Sequence, residues 1–163
     1  MKYFITYLTF VISILFIFFT GCDFIESEDQ SMLLSMKSLQ GITLEPEKNI
    51  YPTGINMITM FWGNDSMNVI SYGDYFELFR KEDDVWIVIE DNSGYPYSDI
   101  SYELIPDTRR DKNYNIFERF GFLSKGEYKI AAIFYIYSDN EGKETEFVVF
   151  GYFSISETHT NGE

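Results

Sequence analysis

From residue 41 to residue 155 the chain repeats one pattern: a short run of apolar and β-branched residues, then turn residues, then another run. Runs at 42–45, 56–62, 67–72, 75–81, 85–90, 100–105, 114–117, 128–137 and 145–155 predict β-strands. Their punctuation is explicit. Pro46 limits the first run, 49–54 carries turn residues, Gly63-Asn64-Asp65-Ser66 and Gly73-Asp74 each close a run, and Pro106-Asp107 reads as a further turn. The runs 75–81 and 85–90 flank Glu82-Asp83-Asp84 and predict a β-hairpin, with Phe76 and Leu78 on one face and Trp86 and Val88 together on the return strand. Residues 91–99 read as a loop containing Gly94-Tyr95-Pro96-Tyr97. No long stretch shows the 3.6-residue period of an amphipathic helix. Short strands with turn signals over this length predict an all-β sandwich with antiparallel sheets, spanning 39–156. The many Phe and Tyr residues then serve core and cross-strand packing.

Two stretches precede the sandwich. Residues 3–19 form a nearly unbroken apolar run, and Lys2 is the only charge before Asp23. A basic start, an apolar stretch and small residues behind it are the parts of a secretory signal. Cys22, the chain's single cysteine, follows directly in the order Phe19-Thr20-Gly21-Cys22. Residues 22–38 are polar and punctuated by serines, and read as a tether of about 20–25 Å mean span if fully flexible. Within it Met32, Leu33, Leu34 and Met36 form an apolar group that either belongs to the coil or packs on the domain as a helical turn or edge strand. The polar end 157–163 reads as a disordered tail.

Composition narrows the chemistry. Past residue 21 there are 11 basic and 26 acidic residues, a net charge of −15. Nucleic acid is therefore not an expected partner, because phosphate binding needs clustered Lys and Arg. About 140 residues make one ordinary domain with a real core. A single Cys allows no disulfide within the chain. The one histidine, His159, lies in the polar tail, which argues against Ser-His-Asp and Cys-His catalysis and against a His/Cys zinc site. The acidic clusters at 82–84 and 139–141 lack the alternating ligand spacing of a calcium loop. No cofactor and no metal is expected. Carboxylate-pair chemistry on glycans stays open as an alternative, with no pair singled out.

Two surfaces are candidates for binding a partner such as an envelope protein or wall polymer. Tyr95 and Tyr97, spaced by Pro96 on a loop, can stack on sugar rings or anchor a protein; otherwise one of them plugs the end of the sandwich. The second is the final hairpin. With 138–142 as its loop, Ile133 faces Phe147 and Tyr135 faces Thr145, with Tyr137 and Val149 on the same side and Tyr128, Ile130, Ala132 and Phe134 turned to the core. That hairpin is apolar on both faces. An apolar outer face is either a partner-binding patch or lies under the 32–36 segment or an added strand.

Two resemblances complete the reading. Phe19-Thr20-Gly21-Cys22 resembles the lipobox of bacterial lipoproteins, with Phe19 standing where Leu is usual. That resemblance implies cleavage before Cys22, a diacylglyceryl thioether on its sulfur, and a protein held on the extracellular face of the cell membrane. Two acyl chains anchor stably where one does not. The alternatives are an uncleaved transmembrane helix, for which the run is roughly long enough, and a buried structural Cys. The stretch 41–130 resembles the bacterial immunoglobulin-like domains of Gram-positive envelope lipoproteins and membrane proteins. The resemblance rests on Gly41-Ile42-Thr43-Leu44-Glu45 with Tyr51-Pro52, Ile58-Thr59 leading to Asn64, Tyr72-Gly73, Leu78 to Trp86, and Leu123-Ser124-Lys125-Gly126-Glu127-Tyr128-Lys129-Ile130. It departs at Pro106-Asp107-Thr108, where a Pro-Gly turn is usual. It implies a non-catalytic extracellular binding or accessory module. Tyr128, just after Gly126 at the opening of a late strand, matches a tyrosine corner, whose hydroxyl bonds backbone at the sandwich edge.

Overall fold

The computed structural model describes residues 32–138 and 143–157. The apolar run 3–19, Cys22 and His159 lie outside the described residues, as do the expected signal, the first part of the tether and nearly all of the tail.

The described chain is an all-β immunoglobulin-like sandwich of two sheets. Strands β1 (Ile42–Pro46), β3 (Met57–Asn64) and β7 (Thr108–Asn115) form a three-stranded antiparallel sheet in the order β1-β3-β7. The second sheet runs β2 (Ile50–Pro52), β9 (Lys143–Ser156), β8 (Gly126–Ser138), β4 (Ile70–Glu82) and β5 (Val85–Ile89), with β6 (Tyr102–Leu104) pairing the start of β4. One short helix, α1 (Ile116–Phe120), links β7 to β8.

Alternation builds the core. Ile58, Met60 and Trp62 of β3 point inward and are fully buried, against Ile70, Tyr72 and Leu78 of β4 and Ile130, Ala132 and Phe134 of β8. Gly151 lets the sheets close at one side, since a Cβ there would meet the Leu44 carbonyl oxygen of β1 at 2.8 Å. Asn64 is a buried polar residue, at 0 % exposure. Its amide donates to the carbonyls of Asn68 and Leu104, at 2.8 and 2.9 Å, and its carbonyl accepts from the backbone and hydroxyl of Ser66. Every hydrogen-bonding position is filled, which is the condition for burying an amide without a large penalty. The tyrosine corner is present: the Tyr128 hydroxyl donates to the Ser124 carbonyl at 2.6 Å.

Four expectations are corrected. Gly73-Asp74 does not separate two strands; β4 runs through it with a register shift between Tyr72 and Phe76, a β-bulge. Residues 50–52, within an expected turn, form a short strand parallel to the end of β9, held by Tyr51, whose ring meets Phe153 edge-on at 5.9 Å. The strand expected at 114–117 instead begins at Thr108 and gives way to α1 after Asn115; its charged sequence hid an edge strand. The final hairpin pairs Phe134 with Phe147 and Ile133 with Val148, one residue away from the expected register. Ser138 pairs with Lys143, so four residues rather than five lie between the strands. A slip of one residue exchanges the two faces of a strand. Phe147 and Val149 therefore belong to the core, and Val148 belongs to the outer face.

That outer face has an occupant. Residues Met32–Ser35 form a 3₁₀ turn. Leu33, 1 % exposed, packs on Phe79, Ala131 and Val148, with Met36, Trp86, Val88, Ile133 and Phe150 around them. The Val148 backbone N–H donates to the Lys37 carbonyl at 2.9 Å and fixes the segment on β9. Of the two fates open to the Met32–Met36 group, the structure shows the docked one. Beside it Lys129, 4 % exposed, places its ammonium 4.7–4.9 Å from the rings of Phe79, Trp86 and Phe150. Burial holds its pKa below the usual lysine value, and the three ring faces supply cation–π attraction. Truncating Leu33→Ala is expected to lower unfolding free energy by about 2 kcal/mol and to red-shift Trp86 emission. Unchanged stability in urea would contradict the docking.

Candidate functional site

The bulge at Gly73-Asp74 shapes one end of the sandwich. It leaves the Gly73 carbonyl and the Asp74 carboxylate facing β7, where Lys112 reaches both, at 2.8 and 2.5 Å. The Lys112 side chain is only 11 % exposed. Its ammonium lies 4.5 Å from the Tyr102 ring centre, and 5.6 and 5.8 Å from those of Tyr72 and Tyr114. Burial lowers its pKa, and the Asp74 carboxylate opposes that shift without cancelling it.

Across from Lys112 the 91–101 loop is pinned to α1. Asn115 caps that helix, accepting from the Glu118 backbone N–H, and its amide also bonds the Glu118 carboxylate. Fully buried Ile116 seats the helix on the core. Arg119 then points to the loop. Its guanidinium stacks 3.6 Å from the Tyr97 ring centre, pairs with Asp91 at 2.6 Å and donates to the Tyr95 carbonyl at 3.3 Å. The Asn92 backbone N–H returns to the Arg119 carbonyl at 2.9 Å. Burial works to raise the Asp91 carboxyl, but the Ser93 hydroxyl and backbone N–H and the Arg119 guanidinium outweigh it, and its pKa lies below the usual value.

Between these walls lies a cleft of ≈ 480 Å³, adjoining a second hollow of ≈ 470 Å³ that shares Asp74, Tyr102, Lys112 and Asn113. Of the two loop tyrosines, Tyr97 is the plug. Its hydroxyl donates to the Phe76 carbonyl at 2.8 Å, its ring meets Tyr75 and Phe76 edge-on, and burial pushes its pKa well up. Tyr95 stands at the cleft mouth, 66 % exposed.

The hairpin candidates separate. Ile133 lies against the docked 32–36 segment, and Phe147 turns inward to stack on Phe134 at 5.4 Å. Tyr135 and Tyr137 stay on the outer face, opposite Glu146 and Glu144, and line a hollow of ≈ 590 Å³ with Met67 and Val69. Burial, then the Glu146 and Glu144 charges, raise the Tyr135 pKa. The structure thus does not bring the four hairpin residues together, and Tyr95 lies in a different cleft.

Sequence reasoning missed Asp74, Asp91, Tyr102, Lys112 and Arg119. One signal was available: Arg110, Lys112 and Tyr114 recur every second residue before a capped turn, which marks one face of a strand. Among the described residues no group of three or more His, Cys, Asp or Glu is placed to hold a metal ion, and no helix is long and apolar enough to cross a membrane.

The two-sheet fold and its tyrosine corner define an immunoglobulin-like β-sandwich module. Residues 38–148 match the family described as the bacterial Ig-like domain, and the chain belongs to that family. The match reaches beyond the 41–130 stretch of the sequence resemblance and into β9. No curated protein matches the chain.

The depressed Asp91 pKa carries a pH signature. Its stabilisation is complete above the unfolded carboxyl value, near 4, and disappears as pH falls through the lower folded value. Asp91→Asn is expected to melt below the parent at pH 7, with the gap closing as pH falls below the unfolded carboxyl value. A gap constant across that range in thermal melts would contradict the Arg119–Asp91 clamp.

Proposed function

We propose that the chain is a lipid-anchored extracellular protein whose Ig-like domain is a non-catalytic binding or accessory module. The observation that carries the reading is the pairing of a bacterial Ig-like domain with a lone cysteine at the end of an apolar leader. Bacterial Ig-like domains are generally non-catalytic surface or accessory modules. The cleft chemistry supports the same view: Asp74 is engaged by Lys112, Asp91 by Arg119 and Glu118 by Asn115, so each carboxylate is committed to holding the walls. A general acid or base needs a carboxyl free to exchange its proton with substrate.

Docking of the 32–36 segment sets the reach of the anchor. In this reading the chain from Cys22 to Met32 extends at most about 35 Å, which keeps the sandwich close to the headgroups. The membrane contact is then the lipid itself, since a net charge of −15 past residue 21, from 11 basic and 26 acidic residues, repels anionic surfaces.

Cys22→Ser is expected to abolish incorporation of labelled fatty acid and to leave either the precursor or a released form. Signal-cleaved Cys22→Ser protein that still fractionates with membranes would contradict the anchor.

A further inference from the structure

We propose that the cleft between the 91–101 loop and β7 is a binding site for a neutral saccharide. The proposal rests on the binding-module reading above and names the ligand class for it.

The walls are built before any ligand arrives. Arg119 ties the loop to α1 through Tyr97, Asp91 and the Tyr95 carbonyl. Lys112 ties β7 to the bulge of β4 through Gly73 and Asp74. A pre-organised site spends little of its interaction energy on ordering loops. The volume of ≈ 480 Å³ falls in the range of small-ligand pockets.

Charge decides what kind of ligand fits. Arg119 and Lys112 are each paired with a carboxylate and stand largely shielded, with side chains 15 % and 11 % exposed. A phosphate or carboxylate entering here would have to compete with Asp91 or Asp74 for its cation. A free cation would compete with Lys112 and Arg119 for those carboxylates. A neutral ligand meets neither cost.

The remaining lining recognises hydroxyls on a ring. Ser93, Ser98 and Asn113 bring hydroxyl and amide groups, which both donate and accept. Tyr95 and Tyr102 bring aromatic surface, and Tyr95 presents its ring to solvent at the mouth. A pyranose has an apolar C–H face for such a ring and equatorial hydroxyls for such side chains. An extended peptide laid on the β7 edge is disfavoured by the exposed charges at Arg109, Arg110 and Asp111, the kind of edge that discourages strand addition.

The test is calorimetry on the full chain in detergent micelles, titrated with tetrasaccharides of N-acetylglucosamine, α-1,4-glucose and β-1,4-glucose, and with an acetylated Thr-Val repeat peptide. Saturable binding of a tetrasaccharide is expected, weakened about tenfold by Tyr95→Ala and restored by Tyr95→Phe. Tyr95 is 66 % exposed, so the melting temperature should not move. No tetrasaccharide binding, binding indifferent to Tyr95→Ala, or binding of the peptide alone overturns the proposal. Sedimentation with delipidated envelopes separates the two levels: retention there without tetrasaccharide binding overturns the saccharide and spares the module reading. Failure of both overturns both.

Discussion

Trp62 is the interaction on which the other parts depend. It sits on β3 at 0 % exposure, stacks on Tyr72 of the opposite sheet with ring centres 4.1 Å apart, and donates its indole N–H to the Tyr114 hydroxyl of β7 at 3.0 Å. Phe134 of β8 meets it edge-on. One side chain thus joins four strands and both sheets. The bond to Tyr114 satisfies the one polar atom of the indole and fixes the tyrosine, whose own pKa burial pushes up. Tyr72 and Tyr114 in turn offer their rings to Lys112, so the centre of the core and the floor of the cleft are built from the same residues. A disturbance at Trp62 reaches the cleft through direct contacts, with no intervening pathway.

The larger sheet solves a problem set by its own sequence. Strands β8 and β9 are apolar on both faces, and a sandwich buries only one of them. The chain covers part of the other with its own residues 32–36, and Lys129 brings a charge into the aromatic ground left beside them. The covering explains why an apolar outer strand pair need not mark a partner's footprint. It also moves attention to the end of the sandwich, where polar and aromatic groups converge and their charges cancel in pairs.

Much of the architecture was legible in the chain. The 75–90 hairpin, the two long final strands and the tyrosine corner at Tyr128 are each written in local pattern: period-two apolarity, a turn cluster, a glycine ahead of a tyrosine. Three features were not, each for a physical reason. Strand β7 shows too little apolar alternation to be seen, because an edge strand on a small sheet is exposed along most of its length. The β8–β9 register turns on a single loop residue, and apolar residues at both Phe147 and Val148 leave the pattern nearly symmetric to the slip. The cleft depends on a bulge: Gly73-Asp74 has the composition of a turn, and only the pairing of β4 with β8 on both sides of it shows that the strand continues. Tyr95 and Tyr97 were recognisable as a pair, but their division into mouth and plug depends on Arg119, distant in sequence.

Hydrogen exchange of the Trp62 indole N–H tests the central claim most directly. If Trp62 clamps both sheets, its N–H exchanges only through global unfolding, with the same opening free energy as the β8 core amides. Exchange markedly faster than those amides, at equal pH and temperature, would show the core opening around Trp62 on its own and would contradict the account.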